Sequence, residues 1–248
     1  MATLHLLGTG AAVSDPHRST TMLALHEDEE TVVVDCGGDV LQRLLQSGLD
    51  LDSVSSLIIT HEHPDHVSGF PLFVEKVWLA GRRRPLPVYG ISQALDQARR
   101  CFETFNTTGW EGLPTILWNE VRYDERELVF ENDDWKVVAS PGVHSVPVVG
   151  LRFTAKRTGR SIAYSCDTEP CEPIRRLSER ADMLVHEATG AGNGHSSARQ
   201  AAEIAARAGV GRLLLVHLPP GITGDELSDA RMVFAGTELG VELGAYDI

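Results

Sequence analysis

The chain has 248 residues, enough for one large α/β domain or two small ones, and 42% of them are hydrophobic, which excludes an intrinsically disordered chain. No apolar run reaches the ~20 residues that a membrane helix needs. The formal net charge of −13 opposes polyanions over most of the surface, which argues against a general nucleic-acid coat. Phosphate chemistry stays open, because bound divalent cations invert the charge inside one cleft.

Strand-like runs recur along the chain. They are "LHLLGT" at 4–9, "TMLAL" at 21–25, "TVVVD" at 31–35, "SLIIT" at 56–60 and "PVYG" at 87–90, then "WKVVAS" at 135–140, "VVGLRFTA" at 148–155, "SIAYSCD" at 161–167, "MLVHEA" at 183–188 and "RLLLVH" at 212–217. Helical patterns fall between them at 40–49, 70–79, 93–102, 172–179, 197–208 and 225–235. This order fits strands in two packed sheets with helices outside, rather than one doubly wound sheet. "RRRPLP" at 82–87 and "NTTGWEGLP" at 106–114 read as loops and not as linkers, so a single domain over 1–248 is expected. The Arg82–Arg84 run reads as a solvated loop rather than an anion site. Ser197 and Gln200 have the spacing of a capping box, and Gly209 stops the alanine-rich helix that follows. His195 therefore stands just before a helix start.

The four cysteines are scattered and form no CxxC pair, as expected of reduced thiols in a cytoplasmic protein. The opening "MATLHLLGTGAAV" has neither a basic stretch nor a long apolar one, so no signal peptide is expected.

The densest chemistry lies in "IITHEHPDHVSG" at 58–69, where His61, His63, Asp65 and His66 occupy six positions. In an extended segment residues i and i+2 share a side, so His61 and His63 can address one metal, and the turn at Pro64 swings Asp65 and His66 toward a neighbouring site. Imidazole and carboxylate together suit zinc, manganese or iron. Three further candidates follow strand-like runs: His144, Asp167 and His217. Functional residues of α/β folds collect at strand ends. A lone histidine such as His144 is ordinarily a hydrogen-bonded core or surface residue. Three histidines and a carboxylate in six positions are costly to pack without a partner. The set supplies five histidines and two aspartates, enough for two metals sharing one carboxylate.

HxHxDH after an apolar strand, with the later His, Asp and His, resembles the metallo-β-lactamase superfamily. The resemblance covers nearly the whole chain and implies an α/β fold, a four-layer αββα sandwich of two mixed sheets. It assigns His61, His63 and His144 to a first metal, Asp65, His66 and His217 to a second, and Asp167 as the bridge. "LLGTGAAV" at 6–13 and "VVVDCGGDVLQRLL" at 32–45 are similar to the opening of tRNase Z proteins. "HEAT" at 186–189 and "GHSSARQAAEIA" at 194–205 look like the motifs of that branch. There a glutamate and a histidine act near the leaving group; here they are Glu187 and His195. One departure stands out. The arm with which tRNase Z grips the tRNA elbow is inserted before the bridging aspartate, yet His144 and Asp167 are only 23 positions apart and the segment between them reads as a tight strand–turn–strand.

The implied function is a metal-dependent phosphodiester hydrolase with two divalent ions, zinc first and manganese or iron as substitutes. The ions generate hydroxide near neutral pH, Asp65 orients it or accepts its proton, and His195, oriented by Glu187, protonates the leaving alkoxide. The helix dipole disfavours imidazolium at His195, and a touching Glu187 carboxylate opposes that effect. A carboxylic ester, thioester or lactone hydrolase with the same site is the alternative. A non-catalytic metal-stabilised scaffold is a third class, opposed by the ligand set, since a structural site needs only about four ligands and no open position. A small phosphodiester or single-stranded nucleic acid is the expected substrate, folded tRNA is disfavoured, and the family resemblance implies a homodimer.

Overall fold

All ten strand-like runs form strands in the computed structural model, which describes residues 2–222 and 224–248. The chain begins with β1 (Thr3–Gly8), β2 (Met22–Glu27), β3 (Glu30–Val34), α1 (Val40–Gln46), β4 (Val54–Ile59), α2 (Pro64–Val67) and α3 (Phe70–Leu79). It continues with β5 (Leu86–Gly90), α4 (Ser92–Glu103), β6 (Ile116–Glu120), β7 (Glu127–Glu131), β8 (Trp135–Pro141), β9 (Val149–Ala155) and β10 (Ser161–Tyr164). The last third holds α5 (Glu172–Leu177), β11 (Met183–Glu187), α6 (Ala198–Ala208), β12 (Leu213–Val216), α7 (Gly224–Val233), β13 (Thr237–Leu239) and β14 (Ala245–Asp247). The predicted helices are all present, with ends displaced by a few residues, most at 40–49, where Ser47 caps α1 early.

The strands make two seven-stranded mixed sheets, in the order β14-β1-β2-β3-β4-β5-β6 and β13-β12-β11-β10-β9-β8-β7. Two compact units carry them. The first comprises the opening strand, Thr20–Val121 and Glu242–Asp247, and the second comprises Thr9–Ser19, Arg122–Val241 and Ile248. Sequence periodicity missed β6, β7, β13 and β14, which are the four sheet edges. An edge strand is short and half exposed, so it lacks the apolar run that marks a central one.

In the first unit, α1 buries Val40, Leu41 and Leu44, and α3 buries Phe70, Phe73, Val74 and Val77. The Arg82–Arg84 loop departs from expectation. Arg82 is buried and donates to the carbonyls of Val54, Arg84 and Pro85, and burial lowers its pKa to about 10. Arg84 also donates to the carbonyl of Val54. These two arginines close the entry to β5 by satisfying backbone acceptors, so the run is structural and only partly solvated.

In the second unit, Ser197 and Gln200 exchange both bonds of a capping box, and Gly209 ends α6 in the left-handed region at φ 65°. The buried face of α6 is largely alanine, which lets the helix approach Leu184, Leu213 and Leu215 closely. The segment between β9 and β10 is an antiparallel hairpin, as read from the sequence. On β8 and β9, Trp135, Val137 and Ala139 face one side and pair with Ala155, Phe153 and Leu151. Trp135 is fully buried and meets Phe153 edge to face at 6.1 Å. Truncating such a side chain typically costs about 3–5 kcal/mol, and urea denaturation of Trp135→Ala is expected to show a loss in that range.

Two buried histidines tie stability to pH. Burial lowers the pKa of His186, and burial followed by the nearby His26 lowers that of His5. Each group binds protons more readily when unfolded, where its pKa is about 6.5. Their contribution is thus complete above that value and lost as pH falls through the folded pKa. Melting temperature is expected to drop between about pH 6.5 and 5, with a shallower drop in His5→Leu.

Candidate active site

The candidate ligands belong to both units, four to the first and three to the second. In the first unit, β3 and β4 run parallel and deliver Asp35 and Thr60 side by side at their C-terminal ends. Asp35 is buried and holds a left-handed φ of 61°. Its carboxylate accepts from the Thr60 amide at 2.8 Å, from the Thr60 hydroxyl at 2.8 Å and from His66 Nδ1 at 2.8 Å. The Thr60 hydroxyl donates to Asp35, so at 3.1 Å it accepts from His61 Nδ1. Both imidazoles are thereby fixed with Nε2 as the nitrogen able to bind a metal.

His61 Nε2 lies 3.2 Å from His63 Nδ1, and His66 Nε2 lies 3.5 Å from Asp65 Oδ2. Two ligands each ~2.0–2.1 Å from one tetrahedral ion stand ~3.3 Å apart, so the donor set fits a cation. The HxHxDH turn also needs Gly37. A Cβ there would lie 1.7 Å from the Asp65 carbonyl oxygen. Cys36 donates from its amide to the His66 carbonyl at 2.8 Å, which holds the two segments together.

In the second unit, the parallel strands β10, β11 and β12 place Asp167, Glu187 and His217 at their C-terminal ends, and His144 follows β8. His144 Nδ1 donates to the Gly194 carbonyl at 2.8 Å. Gly194 has φ 84°, and a Cβ there would sit 2.6 Å from that same nitrogen. Thr189 donates its hydroxyl proton to the His217 carbonyl at 2.9 Å and so accepts from His217 Nδ1 at 2.6 Å. Again Nε2 is the nitrogen left for a metal. Oδ2 of Asp167 lies 3.4 Å from His217 Nε2 and 3.9 Å from His144 Nε2, a position suited to a carboxylate shared between two sites.

Glu187 is fully buried. Its Oε1 accepts from the Thr168 amide at 2.8 Å and from His195 Nδ1 at 2.9 Å, and its Oε2 accepts from the Thr189 amide at 3.1 Å. The His195 ring lies beside those of His217 and His144, with centroids 5.6 and 4.8 Å away. With Nδ1 committed to Glu187, its second nitrogen is the one that can carry a proton outward. Its side chain is 21% exposed, against 2% for His144 and His217, so it is the histidine of this group that solvent or substrate reaches.

Sequence reasoning assigned no role to Asp35, Thr60, Thr189 and Gly194. Asp35 left a signal, an acidic residue ending an apolar strand before two glycines. The others left none: Thr189 and Gly194 act on histidines 28 and 50 positions away, and Thr60, although next to His61, is oriented by Asp35 from 25 positions away. Partners of this kind are worth about 10- to 100-fold in metal affinity. Asp35→Ala and Thr189→Val are each expected to weaken metal binding by that factor with the fold intact, as read by metal-to-protein ratio after dialysis and by circular dichroism.

Residues 30–218 match the sequence profile described as a β-lactamase superfamily domain. A ribonuclease Z from Methanothermobacter thermautotrophicus is 30% identical over 309 aligned positions, covering 100% of this chain and 98% of the relative. Among solved structures, the metallo-β-lactamase fold protein YhfI of Bacillus subtilis has a TM-score of 0.82 at 21% identity, covering 99% of this chain and 98% of that one. The short form of human tRNase Z has a TM-score of 0.82 at 24% identity, covering 99% of each chain. The two mixed sheets with their helices therefore have the metallo-β-lactamase fold, and the chain belongs to the β-lactamase superfamily and, within it, to the ribonuclease Z family.

Proposed function

We propose that residues 1–248 act as a single cytoplasmic hydrolase domain, in a homodimer, that cleaves small or single-stranded phosphodiesters with two divalent cations, zinc first. His61, His63 and His144 serve one ion, Asp65, His66 and His217 the other, and Asp167 both. Such ions, when bound, acidify water and neutralise non-bridging phosphate oxygens. Ribonuclease Z relatives support the reaction class. The observation that carries it in this chain is the buried Glu187 carboxylate bonded at 2.9 Å to His195. Asp65 orients the attacking water or takes its proton. His195, steadied through Nδ1, releases its proton from the other nitrogen to the departing oxygen. A hydrolase of activated esters has little need of such a proton, and that favours a phosphodiester with an alkoxide leaving group over a thioester or lactone.

Two observations support a substrate smaller than folded tRNA. The segment between His144 and Asp167 is filled by the β9–β10 hairpin. The alignment with the Methanothermobacter relative spans 309 positions against 248 residues in this chain, a difference of 61 positions. The reading is tested with a hydrolysis panel at defined metal content: bis-p-nitrophenyl phosphate, cyclic nucleotides, an arylsulfate, a lactone and a pre-tRNA. The phosphodiesters are expected to lead, and efficient cleavage of folded pre-tRNA at physiological salt would overturn the size assignment.

His195→Ala and Glu187→Ala are expected to slow phosphodiesters with alkoxide leaving groups by about 100- to 10,000-fold, and p-nitrophenyl esters far less. Metal content should be unchanged in His195→Ala, since His195 is not assigned as a ligand. An equal loss across a series of graded leaving-group pKa would reject the acid role, and loss of metal would make His195 a ligand. Metal analysis should find two ions in the wild-type protein, depletion of both in Asp167→Ala, and loss chiefly of one in His217→Ala.

A further inference from the structure

One groove of about 910 Å³ in the second unit reverses the charge of the rest of the chain. Acids outnumber Lys and Arg by 35 to 22 overall, yet the groove is lined by Arg126, Lys136, Arg152, Arg175, Arg180 and Arg207 with Glu179 as its one acid. None of these residues belongs to the candidate active site. The register explains how they meet. On β8 and β9, Lys136, Val138 and Arg152 point away from Trp135 and Phe153, and Val138 pairs with both Leu128 and Arg152. α5 adds Arg175, and the last turn of α6 adds Arg207.

The charge is only partly answered by the protein. Glu179 binds Arg126 and Arg175, and two carboxylates outside the lining, Glu172 and Glu131, pair with Arg175, Arg207 and Lys136. Among the described residues, the six cations thus have direct ion pairs with Glu179, Glu172 and Glu131 only, and Asp182 acts on Arg152 through space. Arg152 is half-buried and donates hydrogen bonds to the carbonyls of Leu177 and Glu179 and to the Ser161 hydroxyl, none of them a carboxylate. Burial and then the neighbouring Arg126 disfavour the Arg152 charge, and Asp182 and Glu179 offset this only from a distance, without a hydrogen bond to it, so an arriving anion would add a direct partner. Arg126, Lys136 and Arg207 are more than half exposed, so their long side chains can follow a ligand. Leu128, 49% exposed, supplies an apolar surface beside them.

We propose that this groove binds the phosphodiester backbone of a single-stranded RNA, as a docking site separate from the hydrolytic centre. The volume lies near the top of the ~300–1,000 Å³ range of ligand sites, more room than one small anion needs. Spaced cations beside an apolar surface suit a chain of phosphates with sugars and bases between them. The choice of RNA rests on the phosphodiesterase reading, whereas the cationic groove does not.

The test is fluorescence anisotropy of the metal-loaded protein with a short labelled 2′-O-methyl oligouridylate, which resists hydrolysis, across a salt series. Wild type is expected to bind with an affinity that falls steeply with salt. Lys136→Glu with Arg180→Glu removes two exposed cations. This double variant should bind at least about 10-fold more weakly, with a log–log salt slope shallower by about 1.4. Its melting temperature and its hydrolysis of bis-p-nitrophenyl phosphate should match wild type. Unchanged RNA affinity in the folded double variant, or no RNA binding by wild type, would overturn the groove. Inorganic tripolyphosphate displacing the RNA at equal concentration of phosphate groups would make it a small-anion pocket and overturn the RNA assignment. Binding to phosphatidylglycerol vesicles instead of RNA would do the same. Failure to hydrolyse any phosphodiester would sink the proposed function, while anisotropy still decides the groove.

Discussion

An imidazole offers a metal only the nitrogen whose proton lies elsewhere, and the surroundings of this chain's candidate ligands fit that one requirement. His61, His66, His144 and His217 each have Nδ1 held by a fixed oxygen, from Thr60, Asp35, Gly194 and Thr189. Each of those oxygens is itself constrained. Asp35 sits in a left-handed conformation at the end of β3, and Thr189 is locked to the His217 carbonyl. Glycine is needed at 37 and 194 because a side chain at either would strike the groups being positioned.

The same economy governs Glu187. A carboxylate with no exposed surface must fill its lone pairs from within. Two backbone amides and His195 do so, and each of the three lies in a different local setting: after β10, after β11 and just before α6. The capping box at Ser197 fixes where α6 begins and so where His195 stands. A helix cap, a strand end and a buried carboxylate thus converge on one ring, and that ring is the exposed member of its cluster.

Charge is distributed in the second unit over two separate regions. Carboxylates and imidazoles gather at the C-terminal ends of β10, β11 and β12, whereas guanidinium groups gather on the β8–β9 face turned away from Trp135. Strand alternation makes this separation possible. Residues at even steps build the apolar core, and those at odd steps are free to be charged. A chain of net charge −13 can therefore carry a strongly cationic groove without disturbing its core.

The sequence by itself determined the central strands, the helices, the HxHxDH cluster and the capping box, because each is written in periodicity or spacing within a dozen residues. It also marked His144, Asp167, His195 and His217 by their places at element ends. Tertiary structure alone decided the four edge strands, the burial of Arg82 in a run that reads as solvated, and the oxygens that orient the imidazoles. Edge strands form because a neighbour offers free backbone groups, and their own residues carry little apolar pattern. The contacts from Asp35 to His66 and from Gly194 to His144 span 31 and 50 positions. The cationic groove draws its six charges from segments between 126 and 207 that no local pattern connects. Such groups meet only when sheet register and helix packing bring them together, and neither is a property of a short stretch of chain.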